Sequence, residues 1–580
     1  MSGSAPALRS PRLRQFFACM AALLAALALV GAFRNYSPVP FFDMWGPYLQ
    51  LLDLTASGDW HVWWAQHNEH RIVLARLLFW ADLRWFDGAG WFLIAANCAL
   101  VALAGLLFCR ILGQVDAAPG RAADKHALAW FIAGALFFWS QQENLTWGFQ
   151  SQFILAQLVP LAALYALYRS IQGGAGMFAL ACLLGILCAG TMANGVLALP
   201  LMTAYALLTR QGWRRGVVLA LVTTLVLFAY FHDYATPAGH SSPLQSLREQ
   251  PLQLVRYVLY YLGSPFHFAF GNKGLGRVAA TLAGLFLLGS AIRFAWCFWR
   301  QPRQFALPLA LLFFIAYIVG TAFGTAGGRL IFGLSQALSQ RYTTPALMAW
   351  AALLVLYAPA LLALQERPRR RAWGGLVVLA VLMMAYQWRA LKSNEDELFG
   401  RSVAALAVEM RVKDQAEIGR VAPNTDIVDS SALAADRQRS VFGLYPYRGA
   451  RASMGQQMAP MALPACRGAL ELAETIAGDQ RFVRVSGWLY EPLGNTVPQV
   501  VRMLDADGTQ VGYALGGWAW NDAAAALHKA ARQSGYRGYL SSGQAQSLML
   551  RGEGPAGPAC ELRVRVPAAQ PDKINEEEKK

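Results

Sequence analysis

Two carboxylates stand in a tryptophan-rich stretch that follows the first long apolar run of the sequence. Asp43 lies in "PFFDMWGPYLQ" and Glu69 lies in "WWAQHNEHR". A carboxylate held beside a membrane and partly removed from water can accept a proton from a hydroxyl, which is general base chemistry. Asp43 can instead be the N-cap of a short amphipathic helix that ends near Gly58, and the two functions are compatible.

Glu69 stands between two histidines, and it also has a structural explanation. With Asn68 as a cap, Glu69 would open a helix beginning near Arg71 and complement the helix dipole. His67, Glu69 and His70 together could hold a metal ion, although "HNEH" lacks the H-E-x-x-H spacing. The sequence therefore allows the use of a divalent cation, but it identifies no definite metal site and no other cofactor.

Further polar residues occur in segments between later apolar runs. Glu143 and Asn144 lie in "SQQENLTWGFQSQ", Arg329 lies in a glycine-rich segment, and Arg341 and Tyr342 lie in "RYTTP". Each arginine can snorkel to lipid headgroups, but the forked guanidinium also suits a phosphate. The topology below assigns all of these residues to the external side, where the two arginines run against the positive-inside trend.

The elements that must position these residues are membrane-spanning helices. Of the 580 residues 56% are hydrophobic and 14% are charged, far from the composition of a soluble globular protein. The apolar runs predict about eleven transmembrane helices, centred near residues 25, 101, 133, 159, 182, 202, 224, 285, 313, 353 and 382. Charged residues interrupt the segment 71–87, so we place it at the interface or in a re-entrant position.

The net charge of +16 does not indicate nucleic acid binding. The basic clusters "RSPRLR", "RQGWRR" and "ERPRRR" each lie beside an apolar run, as cytoplasmic anchors do. With the N-terminus inside, all of these clusters fall on the cytoplasmic side. An odd number of spans then places the C-terminal tail outside.

The chain divides into a transmembrane domain, residues 1–391, and an exported tail. The first external loop covers 34–90; the tail contains a helical and irregular connector, 392–465, a β-sandwich, 466–567, and a disordered end, 568–580. Alternating apolar residues indicate the sandwich, whose tryptophans Trp518 and Trp520 could stack on carbohydrate. Cys466 and Cys560 bracket it, which predicts one disulfide in an oxidising compartment.

In its arrangement the sequence resembles the GT-C class of integral membrane glycosyltransferases. The resemblance rests on the acid in the first external loop, the interfacial helix behind it, the many spans and the exported C-terminal domain. The phrases "HNEHRI", "ENLTWGFQSQF" and "RYTTP" are similar to those of bacterial membrane proteins that look like GT-C members. This chain departs from the common pattern because "FFDMW" contains one aspartate rather than two adjacent acids.

The resemblance implies an inverting glycosyltransferase in the bacterial inner membrane, with a periplasmic C-terminal domain. Such an enzyme moves a sugar from a polyprenyl-phosphate carrier to a glycan, lipid or protein acceptor on the outer face. The resemblance implies that Asp43 is the general base and that Arg329 and Arg341 bind the phosphate. Sugar or acceptor binding is assigned to the remaining candidates, His67, Glu69, Glu143, Asn144 and Tyr342.

Two alternatives stay open at this point. One is a transporter or flippase for lipid-linked saccharides, which would need ionisable groups or broken helices near the middle of the membrane. The other is a ligase or polymerase that acts on prenyl-linked sugars. Membrane lipids are expected partners in every case, and nucleic acid is not.

Overall fold

The computed structural model describes residues 10–117, 120–236, 243–271, 273–522, 527–543 and 546–571. The α-helices of this part are α1 Ser10–Arg34, α2 Leu51–Ala56, α3 His61–Trp64, α4 Val73–Trp85, α5 Trp91–Gly113, α6 Ala122–Ala135, α7 Gln142–Thr146, α8 Ser151–Cys188, α9 Ala198–Leu208, α10 Trp213–Phe231, α11 Pro243–Glu249, α12 Pro251–Ala269, α13 Gly274–Phe298, α14 Ala306–Arg329, α15 Thr343–Ala363, α16 Glu366–Gln387, α17 Glu395–Glu409, α18 Gln415–Ile418, α19 Asp426–Ser430 and α20 Ala432–Asp436. The strands are β1 Arg467–Ile476, β2 Asp479–Tyr490, β3 Val500–Leu504, β4 Gln510–Trp518, β5 Gly535–Ser541, β6 Ser547–Gly554 and β7 Gly557–Arg565.

Eight helices in the described part are long and apolar enough to cross a membrane: α1, α5, α8, α10, α13, α14, α15 and α16. This confirms the predicted class, a helical multi-pass membrane protein with a C-terminal β domain. The difference of three from the predicted eleven spans arises at four apolar runs. The runs near 133 and 202 form α6 and α9, which are shorter than a full span, and those near 159 and 182 both lie in α8.

Helix α8 is interrupted at Gly174, whose backbone is not helical (φ 70°, ψ −152°). Glycine adopts this conformation because it has no Cβ. The 38 residues of α8 would extend roughly 57 Å if straight, well beyond a hydrocarbon layer of about 30 Å. The break therefore separates the two predicted apolar runs.

Helix α4 has 13 residues and is not among the eight long apolar helices. At about 1.5 Å per residue it extends roughly 20 Å, too short to cross a bilayer. This agrees with the placement of segment 71–87 outside the set of full spans.

Helix α12 was not predicted from the sequence, because Arg256, His267 and Pro265 interrupt its apolar pattern. It packs closely on α13 through glycines. A Cβ on Gly263 would lie 1.9 Å from the carbonyl oxygen of Ala280, and one on Gly284 would lie 2.5 Å from that of Leu259. Glycine is required at both positions because any side chain would push the helices apart.

The β domain is one antiparallel sheet in the order β1-β2-β5-β4-β3-β6-β7, where the sequence predicted a sandwich of two sheets. Register shifts in four of its strand pairs bend the sheet. Its two ends meet, because the Cys466 N–H donates to the carbonyl oxygen of Glu561 at 2.9 Å. The single sheet can therefore enclose its own core, which includes Val485, Val501 and Leu550.

The predicted disulfide between Cys466 and Cys560 is present, and both cysteines are buried. It joins the residue before β1 to β7, the two edge strands of the sheet. Of the aromatic residues in this domain, Trp518 stacks on Phe399 and lies under the guanidinium of Arg537, at 4.3 Å.

The chain forms two compact units. The first unit contains Met1–Tyr36, Trp60–Leu78 and Leu93–Lys392, and the second contains Ser37–Asp59, Phe79–Phe92 and Ser393–Lys580. The segment 34–90, which the sequence presents as one loop, therefore contributes to both units. Of the predicted disordered end, residues 572–580 lie outside the described part, while the Gln570 N–H donates to the carbonyl oxygen of Ala473 in β1 at 2.9 Å.

Candidate functional site

Two buried arginines fix the loop that carries His67 and Glu69 in the first unit. Arg71, 4% exposed, donates hydrogen bonds to the carbonyl oxygens of Tyr230, Trp64 and His232 at 2.9, 2.6 and 2.7 Å. Arg76, also 4% exposed, donates to two more carbonyl oxygens of the loop at 3.1 and 2.6 Å. Burial and the charge of Arg71 lower the pKa of Arg76 to about 10. These charged residues of segment 71–87 therefore hold the loop through its backbone.

Glu69 forms an ion pair with Arg329, a residue 260 positions away in sequence. The Nη2 of Arg329 donates to Oε1 of Glu69 at 3.1 Å, and Nε2 of His70 lies 3.6 Å from the same oxygen. The backbone N–H of Ala193 donates to Nδ1 of His70, so the proton of the neutral ring is on Nε2 and faces Glu69. Burial raises the pKa of Glu69, but His70, the backbone N–H of Glu69 and Arg329 together outweigh it and hold the pKa below its usual value.

The loop of Glu69 begins differently from the prediction. Asn68 is not a helix cap, because α4 begins at Val73; instead Asn68 has a positive φ of 49°. It lies in a tight turn in which the backbones of His67 and His70 exchange two hydrogen bonds of 2.8 Å. This turn positions both histidines and Glu69.

Glu143 pairs with Arg341 in a second, similar arrangement. Nη1 of Arg341 donates to Oε1 of Glu143 at 3.2 Å, and its backbone N–H donates to Oε2 at 3.3 Å. Asn144 fixes the same turn, because its side-chain amide donates to the carbonyl oxygen of Arg341 at 2.9 Å and to Thr344 at 2.7 Å. Burial raises the pKa of Glu143, and Arg341 only partly opposes it.

Aromatic and amide contacts connect the segments of the two pairs. The ring of His67 lies 5.2 Å from that of Phe149, and Nε2 of Gln150 donates to Oε1 of Glu143 at 3.5 Å. The rings of Tyr342 and Tyr261 lie 5.2 Å apart. The structure thus brings the first-unit candidates into one polar cluster, which consists of His67, Glu69, Glu143, Asn144, Arg329, Arg341 and Tyr342.

Tyr257 of α12 belongs to this polar cluster and was missed in the sequence. It is fully buried, and its hydroxyl has no hydrogen-bond partner among the described residues. Arg329, Arg341 and Tyr342 all interact with it electrostatically. The spacing of Tyr257 and Tyr261 in "VRYVLYYL" places both on one helical face, and that pattern was the available signal.

Asp43 belongs to the second unit, and its position differs from the predicted one. It lies within a 3-10 turn, Phe42–Met44, while the next helix, α2, begins at Leu51 with Gln50 as its N-cap. Asp43 is therefore not the cap of an α-helix. The turn is held by the Phe42 N–H, which donates to the carbonyl oxygen of Val421 at 2.7 Å, and Phe42 has a positive φ of 45°. Such strained backbone is found at functional sites more often than elsewhere.

Within the described ranges no three His, Cys, Asp or Glu side chains are arranged to hold a metal ion. His67, one of the three residues considered as ligands, instead contacts Phe149. The use of a divalent cation stays a prediction of the sequence.

The chain was compared with known proteins by sequence and by structure. No protein-family model matches it, and no curated protein matches it. Among solved structures it is similar to the crystal structure of ArnT from Cupriavidus metallidurans bound to undecaprenyl phosphate, with 17% sequence identity and a TM-score of 0.38. The match covers 77% of this chain and 81% of that chain.

Proposed function

We propose that the chain is a GT-C-type glycosyltransferase that moves a sugar from a polyprenyl-phosphate carrier to an acceptor hydroxyl. The observation that carries the proposal is the polar cluster of the first unit. It combines two arginines, two carboxylates and a buried tyrosine beside long apolar helices. A lipid-linked sugar phosphate needs cations for the phosphate, hydrogen-bonding groups for the sugar and apolar surface for the prenyl chain.

In this proposal Arg329 and Arg341 bind the phosphate. A guanidinium has five N–H donors, so an arginine can contact a carboxylate and a phosphate at the same time. The paired glutamates hold the two arginines in place, and His67, Asn144 and Tyr342 contact the sugar or the acceptor. Ion pairing also offsets the cost of two partly buried cations when no phosphate is bound.

Asp43 is the proposed general base. The acceptor O–H bond breaks as its proton passes to Asp43, and the acceptor oxygen forms a bond to C1 of the sugar. The bond between C1 and the phosphate oxygen breaks, and its electron pair leaves with the lipid phosphate. Attack from the side opposite the phosphate inverts the configuration at C1. This single displacement needs only one carboxylate, the base that accepts the proton of the acceptor. The proposed location is the outer face of a bacterial inner membrane, with the N-terminus cytoplasmic and the β domain periplasmic.

The test is to replace Asp43 by asparagine, which is isosteric but cannot accept a proton at neutral pH. Surface glycans and proteins of a deletion strain are analysed by mass spectrometry after complementation with wild type, Asp43→Asn or Asp59→Asn, the last being an exposed aspartate of the same segment. Because a positioned base contributes about 10²- to 10⁴-fold, we expect Asp43→Asn to lose at least about a hundredfold in transfer. Asp59→Asn should match wild type.

Protein levels in the membrane must be equal for this comparison. An active Asp43→Asn protein would exclude Asp43 as the base and move the assignment to Glu69. It would also favour the transporter or flippase alternative, which requires no single carboxylate. A ligase or polymerase would be recognised by loss of a whole glycan chain rather than of one sugar.

A further inference from the structure

The second unit contains a pocket of its own, with a volume of about 380 Å³. Leu52, Leu83 and Leu444 supply apolar wall, and Arg439, Arg448 and Asp87 supply charged groups. Pockets that bind small molecules begin at about 300 Å³, so this one has the size for a ligand of one or two sugar rings. None of these residues belongs to the polar cluster of the first unit.

The two arginines of the pocket differ in their partners. Arg439 forms an ion pair, because its Nη1 lies 2.7 Å from Oδ1 of Asp53. Arg437 also contacts that oxygen. The side chain of Arg448 is exposed and forms no hydrogen bond or ion pair with any described residue. The pocket therefore presents one fixed guanidinium and one that is available for an anion.

The backbone around the pocket is held in an unusual conformation. Nine non-glycine residues of the described part have a positive φ, and three of them line this pocket: Asp87 at 55°, Gln438 at 50° and Ser440 at 52°. Ser440 Oγ donates to the carbonyl oxygen of Gly88 at 2.7 Å, which ties the two lining segments together. Strained residues are retained where the surrounding structure fixes them, so the pocket is preformed rather than a chance gap between loops.

We propose that this pocket binds one saccharide unit that carries an oxyanion, either a carboxylate or a phosphate. Arg439 and Arg448 bind the oxyanion, the Asp87 carboxylate accepts a hydrogen bond from a sugar hydroxyl, and the leucines contact the apolar C–H groups of the ring. A neutral sugar would leave the Arg448 guanidinium without its partner. The choice of a saccharide rests on the proposed function, in which this pocket binds the acceptor. The choice of an anion rests on the arginines alone.

The test measures equilibrium binding to the purified full chain in detergent, without any lipid-linked donor. The probes are methyl glucuronoside, glucose 1-phosphate, methyl glucoside and inorganic phosphate. We expect one or both anionic sugars to bind at least about tenfold more tightly than methyl glucoside, because a charge-assisted contact is stronger than a neutral one. Whether glucuronoside or sugar phosphate binds better identifies the oxyanion.

Variants locate the binding in the pocket. Arg448→Gln should weaken binding of the anionic sugar about tenfold or more. It should fold normally, because the Arg448 side chain has no hydrogen-bond or ion-pair partner in the described part of the chain. Arg565→Gln, which removes an exposed arginine from β7 outside the pocket, should have no effect. Equal melting temperatures of the three proteins serve as the folding control.

Three results would overturn the proposal: no binding of any probe, equal binding of the neutral and anionic sugars, or unchanged binding in Arg448→Gln. Inorganic phosphate binding as tightly as either anionic sugar would overturn the saccharide assignment and leave a simple anion site. Because the measurement needs neither donor nor catalysis, its failure differs from that of the transferase proposal, which Asp43→Asn tests separately.

Discussion

The two carboxylate–arginine pairs of the first unit are alike in geometry but differ in electrostatics. Each has one guanidinium contact, at 3.1 Å for Glu69 and 3.2 Å for Glu143, and each carboxylate is about a quarter exposed. Yet the pKa of Glu69 is lowered, whereas the pKa of Glu143 is raised. Glu69 has His70 as a second partner, while Arg341 is the charged residue that opposes burial at Glu143.

At Glu143 one arginine does not fully offset burial of the carboxylate, whereas at Glu69 His70 and the backbone N–H of Glu69 act together with Arg329 and lower the pKa. Glu69 therefore stays ionised into the acid range and is suited to holding Arg329 in a fixed position. Glu143 gains and loses a proton at a higher pH than Glu69. The pair of Glu143 and Arg341 is the more easily disturbed of the two.

Among changes to the two pairs, removal of the arginines should give the largest effect. We expect Arg341→Ala to weaken donor binding about 10- to 100-fold, because a charge-assisted contact is worth about 1.5 to 3 kcal/mol and Glu143 is left without its cation. Arg329→Ala should cost less, about tenfold, since His70 still faces Glu69. The measurement is the affinity of the purified variants for a polyprenyl-phosphate sugar.

Lysine at either position is the matched control, because it keeps the positive charge but lacks the forked N–H donors of arginine. It should restore donor binding in part. Equal affinities of Arg341→Ala and wild type would show that Arg341 anchors the protein to lipid headgroups rather than to the donor. Equal losses in the two alanine variants would remove the proposed difference between the pairs.

The second unit contains a buried carboxylate, Glu409, that forms no ion pair with a described residue. Burial raises the pKa of Glu409, in α17, to about 7, although Gln438 donates a hydrogen bond to it. The folded state then binds more protons than the unfolded state above the unfolded pKa of about 4.5, so the free energy of unfolding decreases as pH rises from there through about 7. We expect Glu409→Gln to remove a pH-dependent loss on the order of 3 kcal/mol.

Melting temperatures between pH 5 and pH 8 would measure this effect. The wild-type melting temperature should fall over that range relative to Glu409→Gln. Asp396→Asn, an exposed residue of the same helix, should follow the wild-type curve. Parallel curves for wild type and Glu409→Gln would contradict the raised pKa.

The smallest expected effect comes from removing the second partner of Glu69. His70→Ala should raise the pKa of Glu69 toward that of Glu143, because His70 is the largest of the influences that oppose burial and would then be lost. The acid limb of the pH dependence of transfer should shift upward by less than about one pH unit. His61→Ala, which changes an exposed histidine of α3, is the control. An unshifted acid limb in His70→Ala would show that His70 does not contribute to the lowered pKa of Glu69.

The sequence by itself determined the features that depend on local pattern. The length and apolar composition of a run are enough to identify a membrane-spanning helix, so the helical membrane class was predictable. Two cysteines bracketing a segment of strands admit one pairing, and Cys466 and Cys560 form it. Uncommon polar residues among apolar ones also marked the candidate residues, including Glu69, Glu143, Arg329 and Arg341.

Only the tertiary structure decided which of these residues meet. Glu69 pairs with a residue 260 positions away, and Glu143 with one 198 positions away. Helix packing sets these partners, and hydropathy carries no information about them. Tyr257 was missed for the same reason, since a tyrosine on an apolar helix is unremarkable until two arginines from other elements lie close to it. The single closed sheet likewise depends on a long-range contact between the chain before β1 and β7. The alternation of apolar residues identifies strands but does not say which strands are neighbours.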